Sequence, residues 1–238
     1  MTLRSIDWAR WYQPGESTLR SLESAYPPAR ILDILTETLR EGVRTRILEL
    51  GCAPGRWLAW AHTRLRVDGV GLERDGEGIR LTRALYPRIP LVRGDAFALP
   101  FANQSFDAVY ALGLLEHFEK PSGILREARR VLAPGGVSLW SVPNIVPGSL
   151  CRWHWKRLSQ DLFEAHKAYS PDELAAVVEA SGFAVCRAEY NGIYIPHMQR
   201  VMGYLPLRWL LKLAETRALA ASVIVVAKPI DNARTITV

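Results

Sequence analysis

Short apolar runs and helical patterns alternate along the chain, and the clearest pair lies near its start. The run 46–50 is apolar apart from Glu49 and leads into a turn that contains Gly51 and Gly55. A helical pattern follows from Trp57. Alternation of strands and helices is typical of a doubly wound α/β domain, whose ligand crevice lies at the carboxyl ends of the strands.

The same alternation continues to the end of the chain. Apolar runs predict further strands at 67–73, 90–96, 106–112, 137–142, 184–188 and 221–227. Apolar residues at helical spacing predict helices between them, including one that runs from about residue 28 to Gly42. Ser170 and Glu173 form a capping-box pattern that predicts the start of a later helix. We therefore predict an α/β fold with helices on both faces of one sheet.

The periodicity breaks in two places, which we interpret as inserts. We expect an N-terminal arm and helix at 1–45 and one main domain at 46–238, with substrate lids at about 145–169 and 191–216. Segment 152–157 mixes cations with aromatic residues, a pattern that fits a nucleic acid strand, a lipid head group or a lid. We favour the lid.

Composition narrows the class of protein only slightly. The net charge of +6 comes from scattered arginines, which gives weak attraction to anions without a nucleic-acid-binding block. The three cysteines lack disulfide or metal-ligand spacing, so we expect reduced thiols, a cytoplasmic protein and no metal site. The longest apolar run, 218–227, is too short to span a bilayer. Oligomeric state is left open.

The glycine turn is compatible with two kinds of ligand. A dinucleotide site prefers G-x-G-x-x-G, but the middle glycine is replaced here and Pro54 removes one N–H group. S-adenosylmethionine is the other ligand, because it has no pyrophosphate to cradle. Glu73 follows Gly51 by about 20 residues, the spacing of a carboxylate that binds ribose hydroxyls. Both ligands carry that ribose, so the spacing does not separate them.

Three motifs resemble class I S-adenosylmethionine-dependent methyltransferases. Residues 48–55 resemble the family's first motif, with Ala53 in place of the usual glycine. Residues 94–107 are similar to a Gly-Asp-Ala…Leu-Pro-Phe…Ser-Phe-Asp segment of the small-molecule members. The aromatic cluster at 8–12 and His166 are similar to features of the ubiquinone-biosynthesis methyltransferases.

The resemblance implies a fold and a cofactor site. The expected fold is a Rossmann-like, seven-stranded mixed sheet whose last strand inserts antiparallel between the fifth and the sixth. Asp95 would face the adenine amino group, and the backbone near Leu112 would lie under the cofactor. The full set of expected contacts with S-adenosylmethionine is Glu49, Gly51, Cys52, Ala53, Gly55, Glu73, Arg74, Asp95, Ala96 and Leu112.

The resemblance also implies methyl transfer to a small, apolar or aromatic acceptor, with oxygen favoured over nitrogen or carbon. A hydroxyl acceptor needs a base, and histidine suits that role near neutral pH. The candidates are His117 and His166, with Tyr169 or Tyr12 orienting the acceptor.

Three other functions stay open from the sequence. A nucleic acid methyltransferase is disfavoured because amino-methylating members carry Asn/Asp-Pro-Pro-Tyr/Phe where this chain has 111–115 as Ala-Leu-Gly-Leu-Leu. We expect no stable nucleic acid partner. The glycine pattern also disfavours an NAD-dependent oxidoreductase. A non-catalytic S-adenosylmethionine-binding partner protein is the third alternative.

Overall fold

A computed structural model describes residues 30–40, 46–158, 160–192 and 215–230 of the chain. Within these ranges seven strands form one sheet, with five longer helices and shorter helical turns around it. The strands are β1 (Arg46–Leu50), β2 (Asp68–Glu73), β3 (Leu91–Arg93), β4 (Phe106–Leu112), β5 (Leu132–Pro143), β6 (Phe183–Asn191) and β7 (Ser222–Pro229). The helices are α1 (Arg30–Arg40), α2 (Arg56–Trp60), α3 (Gly76–Leu85), α4 (Ser122–Val131), α5 (Leu150–Leu158), α6 (Gln160–Glu164) and α7 (Pro171–Glu179).

The sheet has the topology that the family resemblance implies. The strand order is β3-β2-β1-β4-β5-β7-β6. Strands β1 to β5 pair in parallel, whereas β7 pairs antiparallel with both β5 and β6. The order reverses between β1 and β4, so a crevice opens beyond the carboxyl ends of these two strands.

Helices cover both faces of the sheet because alternate strand residues point to opposite sides. In β4, Val109 belongs to one buried cluster and Tyr110 to the other. Apolar residues of α4 and α7, such as Ile124 and Leu174, pack on the first face. Ile34 of α1 and residues of α2 pack on the second face. This two-sided burial fixes the strand register and therefore the position of every strand end.

Several boundaries differ from the predicted ones. β5 begins at Leu132, five residues before the predicted start, because the Pro-Gly-Gly segment continues the strand next to an irregularity in its pairing with β4. Helix α2 is short and continues as a π-helix over Ala61–Leu65. The predicted lid at 145–169 contains α5 and α6.

Some predictions fall outside the described residues. These are the arm with its aromatic cluster at 8–12, including Tyr12, and most of the predicted second insert at 191–216. No helix within the described ranges is long and apolar enough to cross a membrane.

Candidate cofactor and acceptor site

The corner between β1 and α2 is shaped by two glycines with positive φ angles. Gly51 has φ +66° and Gly55 has φ +87°, a region that residues with a Cβ rarely adopt. A Cβ at Gly55 would lie 2.4 Å from Cγ2 of Thr82. The N–H groups of Gly51 and Cys52 both donate to the carbonyl of Leu72, which ties the corner to β2. The corner is therefore rigid and closely packed against its neighbouring elements.

Glu73 lies at the end of β2 and holds the corner in place. Its Oε2 accepts the N–H of Ala53 at 3.2 Å, and its Oε1 accepts the N–H groups of Arg74 and Asp75 at 2.7 and 2.8 Å. Burial raises the pKa of this carboxyl, while the three backbone donors oppose that shift. A carboxylate offers about four acceptor positions, so Glu73 keeps capacity for one further donor.

Asp95 follows β3 at the same edge of the sheet. Its Oδ1 accepts the N–H of Phe97 at 2.9 Å, and its Oδ2 lies 3.9 Å from Nη1 of Arg74. The N–H of Gly94 donates to the carbonyl of Glu73, which holds the two strand ends together. The Asp95 side chain is half-exposed and Ala96 beside it is buried. The structure thus brings the glycine corner, Glu73 and Asp95 to one edge.

Two predicted cofactor residues turn their side chains into the protein instead. Glu49 is buried and its Oε2 accepts the hydroxyl of Tyr110 at 3.1 Å. Burial raises the pKa of Glu49 to about 8. Cys52 is also buried, with its Sγ packed against Gly71, and burial raises the pKa of its thiol. Of these two residues, only Cys52 contributes its backbone to the corner, whereas Glu49 lies in β1 before the corner begins.

The end of β4 connects the corner to the predicted catalytic residues. Leu112 is the last residue of this strand and is half-buried. A Cβ at Gly51 would lie 3.1 Å from Cδ1 of Leu114, so Leu114 packs directly on the corner. A 3-10 turn then spans Leu115–His117. Only two residues separate β4 from this turn. The turn therefore lies beside the corner, across the crevice between β1 and β4.

The predicted catalytic residues meet in one polar cluster, which we define as Glu116, His117, His166 and Tyr169. The ring centroids of His117 and His166 lie 4.4 Å apart, and Nε2 of His117 lies 3.8 Å from Oε1 of Glu116. Tyr169 is buried in the apolar core of the same face. The N–H of Lys167 donates to the carbonyl of Glu116 at 2.7 Å, which joins the segment before α7 to the 3-10 turn.

Burial shifts the protonation of this polar cluster towards neutral forms. It raises the pKa of Glu116 to about 8, and only a hydrogen bond from the residue's own N–H opposes the shift. Burial, together with the neighbouring His166, lowers the pKa of His117 to about 3. Burial also raises the pKa of Tyr169 to about 12. His117 is therefore neutral near pH 7, but it is a weak proton acceptor.

Glu116 is the member of the polar cluster that the sequence reasoning missed. A glutamate before a histidine in a short polar turn normally points into solvent, whereas this side chain is 2% exposed. Its Oε2 has no hydrogen-bond partner among the described residues, and neither has the hydroxyl of Tyr169. The available signal is the apolar surroundings of Glu116 in sequence, with Leu114, Leu115 and Phe118 close to it.

The fold and the site together define the Rossmann-like class of proteins that bind S-adenosylmethionine. A profile described as a methyltransferase domain matches residues 48–139, which include most of β1, all of β2 to β4 and the 3-10 turn. A Mycolicibacterium smegmatis protein named a probable S-adenosylmethionine-dependent methyltransferase is 30% identical over 81% of this chain and 79% of that protein. An O-methyltransferase of Pyrenophora dematioidea is 28% identical over 74% of this chain and 66% of that protein.

The chain belongs to the class I S-adenosylmethionine-dependent methyltransferases, and S-adenosylmethionine is its methyl donor. This assignment confirms the predicted enzyme class and cofactor. A particular similarity to the ubiquinone-biosynthesis members is not shown by these matches.

Solved structures show the same fold at low sequence identity. The protein solved in complex with the Haloferax volcanii Trm112 methyltransferase activator has a TM-score of 0.69 at 18% identity, and the match covers 95% of this chain and 97% of that chain. Phosphoethanolamine N-methyltransferase 2 of Haemonchus contortus, solved with S-adenosyl-L-methionine, has a TM-score of 0.64 at 13% identity and covers 95% of this chain and 61% of its own.

Proposed function

We propose that this enzyme transfers the methyl group of S-adenosylmethionine to a hydroxyl oxygen of a small apolar or aromatic molecule. The observation that carries this proposal is the placement of the polar cluster. Histidines from two separate segments, a buried glutamate and a buried tyrosine meet beside the glycine corner. Hydrogen-bonding groups of this kind in an apolar wall fit a methyl acceptor that is apolar except for one polar atom.

The cofactor would occupy the edge formed by the corner, Glu73 and Asp95. Glu73 has one acceptor position left for a ribose hydroxyl. The half-exposed Oδ2 of Asp95 is available to accept the exocyclic N–H of adenine, with Arg74 beside it. The backbone at Gly51 and Gly55 admits close approach because neither residue carries a Cβ. Leu112 would lie under the donor, next to the methyl group.

The chemistry mainly requires alignment. The acceptor oxygen attacks the methyl carbon in line as the carbon–sulfur bond breaks. S-adenosylhomocysteine is the leaving group, and the hydroxyl proton passes to His166 or to water. Alignment of two bound reactants lowers a barrier by up to about 7–11 kcal/mol in well-oriented systems. Under this proposal His166 and His117 accept or relay hydrogen bonds from the acceptor, and Tyr169 orients it.

Two further observations support a small-molecule acceptor. Proteins of Pyrenophora dematioidea and Aspergillus nomiae that match this chain are both named O-methyltransferases. In α5, Arg152 and Lys156 lie over the ring of Phe163, and Arg157 lies over the ring of Trp153. These cations take part in packing of the insert, which favours a lid over a nucleic-acid-binding surface.

The test is methyl transfer from labelled S-adenosylmethionine to a panel of phenols, aliphatic alcohols and amines, with tRNA and DNA as competing acceptors. We expect the label in a methyl ether. We also expect Glu73→Gln to raise KM for S-adenosylmethionine at least about 10-fold, because one charge-assisted hydrogen bond contributes about 1.5–3 kcal/mol. Asp68→Asn, at the exposed start of the same strand, is the matched control. Label in nucleic acid, or only on nitrogen or carbon, would contradict the proposal.

A further inference from the structure

Glu116, His117 and His166 form a cluster of potential metal ligands. One ligand atom from each residue lies within 4.8 Å of the other two. This is the only such group of His, Cys, Asp and Glu side chains among the residues that the structure describes. The ligands come from two segments that are distant in sequence, so their meeting is a property of the fold.

Glu116 provides a second, independent observation. Its side chain is buried, and its Oε2 has no hydrogen-bond partner within the described part of the chain. A buried carboxylate oxygen normally has a donor, a cationic partner or a metal ion, because removing it from water is costly. Here the unsatisfied oxygen belongs to the same group as two imidazole rings. The arrangement supplies electron pairs where a cation would be stabilised.

We propose that Glu116, His117 and His166 bind one divalent first-row transition-metal ion of the Zn²⁺ type. Two imidazoles and one carboxylate favour such borderline ions over Mg²⁺ or Ca²⁺, which prefer oxygen ligands alone. Ligand atoms of a tetrahedral zinc site lie about 3.4 Å apart, as bonds of about 2.1 Å require. Small side-chain rotations would bring the three atoms to that spacing from the observed limit of 4.8 Å.

The surroundings hold two of these ligands in place. The N–H of Lys167 donates to the carbonyl of Glu116, which fixes the 3-10 turn against the segment that carries His166. The ring of Trp155 packs edge-on against His166, with centroids 4.8 Å apart. The first contact is made by backbone atoms and the second by Trp155 of α5, so neither uses the proposed ligand atoms. The site is therefore preorganised by the packing of the lid on the sheet.

Three protein ligands leave at least one coordination position open, as in catalytic zinc sites. This step rests on the proposed function: the open position would take the hydroxyl oxygen of the acceptor. With the ion bound, His117 and His166 would act on that oxygen through the metal instead of by direct hydrogen bonds. Coordination lowers the pKa of that hydroxyl, so its proton is released to water. The oxygen then forms a bond to the methyl carbon as the carbon–sulfur bond breaks, giving a methyl ether and S-adenosylhomocysteine.

The experiment measures metal binding without any acceptor or turnover. Full-length protein is first treated with a chelator, dialysed, and titrated calorimetrically with Zn²⁺, and a parallel titration with Co²⁺ is followed by visible absorption. We expect one equivalent of each ion to bind and the Co²⁺ spectrum to show nitrogen–oxygen coordination. Glu116→Gln and His166→Gln should each weaken Zn²⁺ binding at least about 100-fold, since even residues outside the coordination sphere contribute 10- to 100-fold.

His154→Gln is the matched control, because His154 lies on α5 outside the cluster. It should bind Zn²⁺ like the unmodified protein. A titration with S-adenosylhomocysteine checks that each variant keeps an intact cofactor edge, the name we give to the edge formed by the glycine corner, Glu73 and Asp95. No binding of Zn²⁺ or Co²⁺ by the unmodified protein, or equal binding by the Glu116 and His166 variants, would overturn the metal site. Methyl transfer by chelated protein would remove the metal from catalysis and leave the proposed function standing.

Discussion

The cofactor edge and the polar cluster contain buried carboxylates with opposite surroundings. Glu73 accepts hydrogen bonds from three backbone N–H groups. Glu116 has one oxygen without a partner in the described residues. The first carboxylate stabilises the loops around it, whereas the second is kept at a cost to stability. Under the proposed function, this difference means that the cofactor edge forms part of the fold, whereas the polar cluster is kept for its chemistry.

The largest expected effect concerns the glycine corner. Gly55→Ala should lower the free energy of unfolding by about 2–5 kcal/mol, because a left-handed conformation and overpacking against Thr82 both cost energy. Gly135→Ala is the control, since Gly135 also has positive φ but no atom lies within 4 Å of its Cβ position. That variant should lose only about 1–2 kcal/mol. Equal losses in denaturant unfolding would show that the corner is not tightly packed.

The second prediction compares the two carboxylates directly. Glu73→Met should destabilise the protein by about 2–3 kcal/mol, because three N–H groups lose their acceptor. Glu116→Met should instead stabilise chelator-treated protein by about 1 kcal/mol, because an apolar side chain replaces an unsatisfied buried one. Urea unfolding of both variants measures whether each change raises or lowers the free energy of unfolding. Destabilisation of similar size at both positions would remove the distinction between the two regions.

The third prediction is a pH dependence of the free energy of unfolding that arises from Glu49 in β1. Burial raises the pKa of Glu49 to about 8, so the native carboxyl keeps a proton that the unfolded chain releases above about pH 4.5. Its contribution to stability is full below pH 4.5 and is lost as the pH rises to about 8, by up to about 1.4 kcal/mol per unit.

Glu49→Gln isolates this effect, because the amide keeps an acceptor for the Tyr110 hydroxyl. The difference in unfolding free energy between the unmodified protein and the variant should change steadily between pH 5 and pH 8, in favour of the variant at the higher pH. A difference that stays constant over this range would mean that Glu49 is ionised in the native protein.

The smallest expected effect lies at the start of α7, directly after Tyr169. The side chain of Ser170 accepts the N–H of Glu173, whose Oε2 accepts the N–H of Ser170 at 2.7 Å. Ser170→Ala should cost about 1 kcal/mol of stability, as is typical for loss of an N-cap. Glu173→Gln keeps the capping box and should cost less. Thermal unfolding measures both variants, and an unchanged stability of Ser170→Ala would show that the cap does not contribute.

The parts of the site that follow local rules could be predicted from the sequence. The corner, Glu73 and Asp95 each come directly after an apolar run, and parallel strand ends meet at one edge of a sheet. The helix beginning at Pro171 is likewise predicted from local residues, namely Ser170, Pro171 and Glu173. The antiparallel β7 was predicted through the family resemblance, because a Val/Ile-rich run gives no direction by itself.

The parts of the site that could not be predicted depend on packing between segments that are distant in sequence. Cys52 and Glu49 lie in the predicted motif, but the fold turns both side chains inward. The burial of Glu116 cannot be inferred from its own position, since the segment around His166 approaches it only through tertiary contacts. The insert at 145–169 lacks a continuous periodic pattern because its two short helices pack through cation–ring contacts rather than one apolar stripe.

The central claim is that the cofactor edge and the polar cluster are two halves of one active site. A crystal structure with S-adenosylhomocysteine tests it most directly. We predict adenine at Asp95, the ribose hydroxyls at Glu73, and the sulfur facing Glu116, His117 and His166 across Leu112. A bound S-adenosylhomocysteine whose sulfur points away from the polar cluster would contradict the claim.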